Sequence, residues 1–155
     1  GNHNQWVKNA GLNFENTWLR DFTCPILNCG GQLTVNYGQQ SYKIALTHRY
    51  FGGSRLNITN PAKRFFDMEY PEADVAFLGH YHAKSVEQFI RGGRERIAVV
   101  GGTFKTTDEF SAQAGISINN AGLGGITLAL FPKEHKIVPF FSIDDAMAVY
   151  GDLLS

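Results

Sequence analysis

Apolar and polar positions alternate along much of this chain with the two-residue period of β-strands, broken by stretches of helical period. Leu33, Val35 and Tyr37 alternate with polar neighbours, as do Tyr42, Ile44 and Leu46, and the two runs flank Gly38-Gln39-Gln40. That pattern predicts a hairpin of strands 32–37 and 41–47. Asn60-Pro61 marks a helix start, with Asn60 as N-cap and proline at the first helical position, and the helix runs over 61–70 until Pro71. Val75-Ala76-Phe77-Leu78 is continuously apolar and too short for a helix, so it predicts a buried strand. Residues 85–91 and 94–100 predict a second hairpin turning at Gly92-Gly93, and 126–131 with 137–141 a third. Upstream, Trp18, Leu19 and Phe22 share one face of a helix within 6–22, with Asn13 as N-cap, and Pro25 stops it and opens a short strand at 25–29. Thr106-Thr107-Asp108-Glu109 reads as a capped helical turn, 114–125 as a long loop, and Asp144-Asp145 as the cap of a terminal helix that brings Met147 and Tyr150 onto the body. Strands and hairpins with helices between them define an α/β (α+β) fold class in one domain, 1–155.

Composition narrows the function classes. Lys and Arg number 14 and Asp and Glu number 14, so no cationic surplus draws the chain to nucleic acid or anionic lipid. Apolar runs fall far short of the ~20 residues of a membrane span, and no charged-then-apolar leader opens the sequence. Cys24 and Cys29 can be metal ligands, a disulfide or two reduced thiols; the last is favoured and suits a cytoplasmic protein.

The candidate chemistry lies in the histidines. His80 and His82 follow the predicted 75–78 strand directly, and His48 follows the 41–47 strand. If the backbone stays extended past Leu78, His80 and His82 point one way and Tyr81 the other, which suits two imidazoles on one metal or on two adjacent metals. Gly79 lacks a Cβ and permits close approach to the backbone. Carboxyl ends of buried strands are where open α/β sheets bind ligands. His3 lies in the opening tetrapeptide Gly1-Asn2-His3-Asn4, and His135 in a charged, solvent-exposed turn. Arg49 and Arg55 are candidate phosphate-binding residues, Arg55 beside Gly52-Gly53-Ser54. Tyr81 reads as packing or as support for its neighbours. Gly101-Gly102-Thr103 lines the site or simply makes a tight turn.

In order, Gly1-Asn2-His3, His48 and Gly79-His80-Tyr81-His82 resemble the C-terminal half of the calcineurin-like metallophosphoesterases. The resemblance covers about residues 1–100, with the last strands as closing hairpins. It implies the C-terminal half of a two-sheet β-sandwich flanked by helices. It also implies two divalent metal ions (Mn, Fe, Zn or Ni), with Asn2, His48 and His80 on one and His82 on the other, and His3 as the catalytic group at the leaving oxygen. The implied reaction is hydrolysis of a phosphoester by a bridging hydroxide, on a small molecule, nucleotide or nucleic acid. Two cations ~3.5–4 Å apart lower the pKa of water toward ~7 and clamp both oxygens of an in-line displacement.

The chain departs from that family in three places. The family's Asp-x-His and Gly-Asp motifs lie upstream of Gly-Asn-His, so the other ligands belong to a missing N-terminal part of the domain, and the isolated chain is expected to be nearly inactive. Asn4 stands where an acid usually follows Gly-Asn-His, and Arg49-Tyr50 follow His48 where glycine is usual. Two alternatives stay open: a catalytically degenerate binding or scaffold module of the same fold, and a mononuclear zinc hydrolase. Without the first strands of a sandwich, the chain is expected to expose sheet edges and to self-associate.

Overall fold

In a computed structural model of the chain, residues 30–54, 56–105 and 122–151 are described. The expected helix within 6–22, the strand at 25–29, Cys24 and Cys29, the 106–109 turn and most of the 114–125 loop lie outside them, as do Asn2, His3, Asn4 and Arg55.

The described elements run β1 (Gly31–Tyr37), β2 (Gln40–Thr47), α1 (Asn60–Met68), β3 (Val75–Leu78), β4 (Lys84–Arg91), β5 (Arg94–Gly101), β6 (Thr127–Leu130), β7 (Ile137–Phe140) and α2 (Ile143–Tyr150). The fold is mixed α+β. Strands β1 to β5 form one sheet in the order β1-β2-β3-β5-β4, and β6 and β7 pair as a second, two-stranded sheet. The three central strands β2, β3 and β5 are parallel, and the edge strands β1 and β4 join them antiparallel.

The two faces of the large sheet carry different side chains, and this decides what covers each. Register places Ala45, Ala76 and Ala98 abreast across the parallel strands, all with no exposed surface. That row of methyl groups lets α1 approach closely, and Ala62, Phe65 and Phe66 of the helix pack there in one apolar cluster with Leu78. The opposite face carries Val75, Ile97 and Val99, which cluster with Ile137 and the partly buried Leu128 and Leu130 of the small sheet. Burying side chains of this size contributes roughly 1.5–3 kcal/mol each, so the two clusters hold the three layers together.

Boundaries differ locally from the sequence reading. The first hairpin turns on Gly38-Gln39 alone, and β2 starts at Gln40. Helix α1 spans Asn60–Met68 with Thr59, not Asn60, at the N-cap. The Asn60 amide is engaged elsewhere, donating to the Gly52 carbonyl at 2.8 Å. Helix α2 is capped by Ser142, whose hydroxyl accepts the Asp145 N–H at 3.0 Å, so the two aspartates occupy the first turn rather than the cap. Tyr150 does reach the body, edge-on to Phe131 and Phe140, whereas Met147 is half exposed, contrary to expectation.

Candidate metal-binding histidines at the carboxyl end of the parallel strands

Thr47, Leu78 and Val100 lie abreast in β2, β3 and β5, so His48, Gly79-His80 and Gly101-Gly102 all leave the sheet at one end. Two of the sequence candidates meet there. His48 Nε2 and His80 Nδ1 are 3.2 Å apart, with the rings edge-on at a 5.0 Å centroid separation. Gly79 lies under the His48 ring, where an added Cβ would be 3.6 Å from Nδ1, an ordinary contact rather than a clash.

The extended continuation through His82 is overturned. β3 stops at Leu78, and His80 and His82 take φ of 69° and 50°, the left-handed region. Alternation of faces therefore does not govern where these rings point. The Tyr81 N–H donates to the Gly79 carbonyl at 2.8 Å, turning the chain tightly at the strand end. Left-handed backbone costs a non-glycine residue about 1 kcal/mol or more, although histidine visits it more readily than branched residues do. Two such residues in three positions mark a segment that its surroundings hold in place.

Those surroundings are built from both flanks. The Tyr81 hydroxyl donates to the Tyr50 carbonyl, joining the two histidine-bearing loops. Tyr50 stands on Phe65 of α1 (centroids 5.1 Å apart), and its hydroxyl donates to Glu69 at 2.8 Å. Desolvation, reinforced by the Glu69 carboxylate, holds the Tyr50 phenol above its ordinary value, so it stays a neutral donor at neutral pH. On the other flank, the Gly102 N–H donates to the Ala83 carbonyl at 2.9 Å, and the His82 carbonyl lies where a Cβ on Gly122 would sit. Gly102, at φ 81°, is so close to the Gly124 carbonyl and Lys84 that a side chain there would collide. Gly101-Gly102-Thr103 therefore borders the histidine end through backbone packing.

The geometry tests whether these residues fit a metal ion. Two nitrogens each ~2.1 Å from one ion and 3.2 Å from each other subtend about 100°, between the octahedral and tetrahedral angles. His48 and His80 are thus spaced as adjacent ligands of one ion, and the hydrogen-bond separation and the chelate separation coincide. His82 is half-buried two residues beyond His80, and Arg49, which follows His48 in the chain, is exposed. Among the described residues no three His, Cys, Asp or Glu side chains gather into one metal-binding group.

His135 is placed at the other end of the strands. Its Nε2 is 3.5 Å from Asp74 Oδ2, and its ring stacks on Tyr42 at 4.8 Å. Asp74 also accepts the Lys43 N–H at 2.8 Å and lies 3.9 Å from the buried Arg96 guanidinium. Arg96 in turn donates to the Pro71 and Ala73 carbonyls. A cleft of about 440 Å³, lined by Lys43, Asp74, Arg94 and His135 among others, opens at this end and not beside His48 and His80. Sequence reasoning missed this cluster; Asp74 just ahead of a buried strand was the one signal for it.

No family model matches the chain, and no curated protein or solved structure matches it either. No helix among the described residues is long and apolar enough to cross a membrane.

Proposed function

We propose that this chain supplies the C-terminal half of a dinuclear metal centre that hydrolyses phosphoesters, as its motifs resemble those of the metallophosphoesterases. The observation that carries this reading is the 3.2 Å approach of His48 Nε2 to His80 Nδ1, a separation that suits two ligands of one ion. His48 and His80 hold the first ion together with Asn2, and His82 contributes to the second. When bound, such ions supply Lewis acidity and acidify water. The chain's own residues do the rest. The imidazoles would bind through their unprotonated nitrogens, so the His48–His80 hydrogen bond would give way to the ion. His3 donates a proton to the leaving oxygen, a task matched to a group that titrates near neutrality. Arg49, exposed beside His48, and Arg55 offer guanidinium groups to the phosphoryl oxygens.

A complete site of that kind also needs Asp-x-His and Gly-Asp motifs that these residues do not contain, so the 155-residue chain is expected to bind Mn²⁺ or Zn²⁺ weakly and to turn over bis-p-nitrophenyl phosphate negligibly. Calorimetric titration with Mn²⁺ tests the half-site: binding lost in both His48→Ala and His80→Ala but kept in His135→Ala supports it. Binding that survives both substitutions overturns it. The second reading, a binding module of the same architecture, is favoured by Asn4, because an amide stabilises a neighbouring imidazolium less than a carboxylate does.

A further inference from the structure

The histidine loop, 79–82, has two residues in left-handed backbone, and besides the His80–His48 contact a second side chain ties it to the loop that carries His48. That side chain is Tyr81. Its hydroxyl donates to the Tyr50 carbonyl, two residues beyond His48. Its ring lies over Gly53, where an added Cβ would stand 3.1 Å from Cε1, tighter than a relaxed contact. The same ring stands edge-on to the His80 imidazole at 5.5 Å. Tyr50 is itself fixed to α1 through Phe65 and Glu69. The connection therefore runs from the helix, through Tyr50 and Tyr81, to the backbone between His80 and His82.

We propose that Tyr81 is the positioning residue of the half-site: its hydroxyl and ring hold the 79–82 loop so that His80 faces His48 at chelating distance. The inference rests on the metal half-site reading and specifies what pre-organises it. The physical argument is one of ordering. Without a tie, a loop with two left-handed histidines relaxes toward commoner backbone angles, and the rings separate. An ion then has to restore the arrangement at the expense of its own binding energy. Groups that fix metal ligands from outside the coordination shell typically govern affinity by 10–100-fold. Gly53 fits this role from the facing loop, because any side chain there pushes on the Tyr81 ring.

The test uses the full 155-residue chain and two readouts. The first needs no metal: long-range ¹H–¹⁵N spectra of the imidazoles report the His48–His80 pair. In Tyr81→Phe, the nitrogen signals of both rings are expected to move toward those of solvent-exposed histidines. Unchanged imidazole spectra in that variant overturn the positioning role. The second readout is Mn²⁺ affinity. Tyr81→Phe and Gly53→Ala are each expected to weaken it about tenfold. Tyr42→Phe, which removes a buried hydroxyl at the far end of the strands, is expected to leave it unchanged. Equal Mn²⁺ affinity in wild type, Tyr81→Phe and Gly53→Ala overturns the proposal while leaving the half-site intact. If wild type binds no Mn²⁺, or if His80→Ala binds as well as wild type, the half-site reading fails instead, and the imidazole spectra alone decide whether Tyr81 orders the loop.

Discussion

The two ends of the parallel strands each carry charged or titratable groups, yet they are built in opposite ways. At the amino end, Asp74 accepts the Lys43 N–H, faces Arg96 and His135, and lies immediately ahead of β3. Arg96 is held by the Asp74 carboxylate and by two backbone carbonyls. Every contact there fastens one element to another. At the carboxyl end, two imidazoles face each other at 3.2 Å, and the segment bearing His80 and His82 is bent into left-handed backbone to make that possible. The first arrangement gains stability from polar groups by satisfying them. The second carries a conformational cost in the segment that brings two imidazoles together. Backbone cost at a segment that its surroundings hold in place is where a binding role is to be sought.

The largest effect that separates the ends is expected from His48→Ala and His80→Ala. Each removes one of two adjacent ligands and should lower Mn²⁺ affinity by more than about a hundredfold, beyond what supporting residues command. Both rings are at most half-buried, so chemical denaturation should shift little. In a protein carrying the complete ligand set, either substitution should abolish phosphoester hydrolysis. Full activity in either would break the contrast between the ends.

The converse is Asp74→Ala. It leaves the Arg96 guanidinium, whose side chain is 8% exposed, without its carboxylate, and it orphans the Lys43 N–H. A loss of about 3 kcal/mol is expected in urea unfolding, because a stranded buried charge costs more than the pair contributes. Mn²⁺ affinity of the folded fraction should not change. A fall in affinity larger than the fall in folded population would show that the amino end reaches the site.

Tyr42→Phe is a milder version of the same experiment. The Tyr42 hydroxyl is buried, donates to the Phe131 carbonyl at 2.6 Å and accepts the Phe131 and Lys136 N–H groups at 3.2 and 3.3 Å. It is the polar centre around which the 131–136 turn closes. Its removal is expected to cost about 1–3 kcal/mol, since two donors lose their acceptor. Thermal unfolding measures it, and a loss near zero would mean that water replaces the hydroxyl there.

How much of this was legible in the sequence follows the same division. The apolar run Val75-Ala76-Phe77-Leu78 matches β3 residue for residue, because a strand buried on both faces leaves an uninterrupted apolar signature. The hairpins were visible through alternation and their turn residues, glycines in the first two and Pro132-Lys133 in the third. Placement of His48 and His80 at strand ends was visible too, but their approach was not: it depends on parallel register between β2 and β3, which no local pattern encodes. The left-handed turn was illegible for a related reason. Its sign of φ is fixed by the Tyr81–Tyr50 tie and by Gly102 and Gly122 packing beside Ala83 and His82, all remote in sequence. Asp74 and Arg96 carried no periodic signal, and their pairing arises only once β5 lies beside β3.

The smallest expected effect concerns a contact that belongs to neither end and so serves as a control for both. Glu87 of β4 accepts from the Thr59 hydroxyl and from Lys63 Nζ at 3.0 Å, fastening the edge strand to the start of α1. The Thr59 hydrogen bond, then that from Lys63, hold its carboxyl below the ordinary value of 4.5, against an opposing contribution from desolvation. A carboxyl with a depressed native pKa binds its proton more tightly in the unfolded chain, so unfolding takes up protons as the pH falls. Its stabilisation is therefore complete above about 4.5 and declines as the pH drops below that value through the native one. The side chain is 40% exposed, so solvent screening keeps the whole effect below about 1 kcal/mol. Glu87→Gln should be slightly less stable than wild type at pH 7, and the gap should narrow progressively as the pH falls below about 4.5. A gap that stays constant over that range would show that the lost stability comes from packing of the longer network and not from the ionised carboxylate. Neither result should alter Mn²⁺ affinity at neutral pH, because α1 reaches the histidines through Phe65 and Glu69 rather than through Thr59 and Lys63.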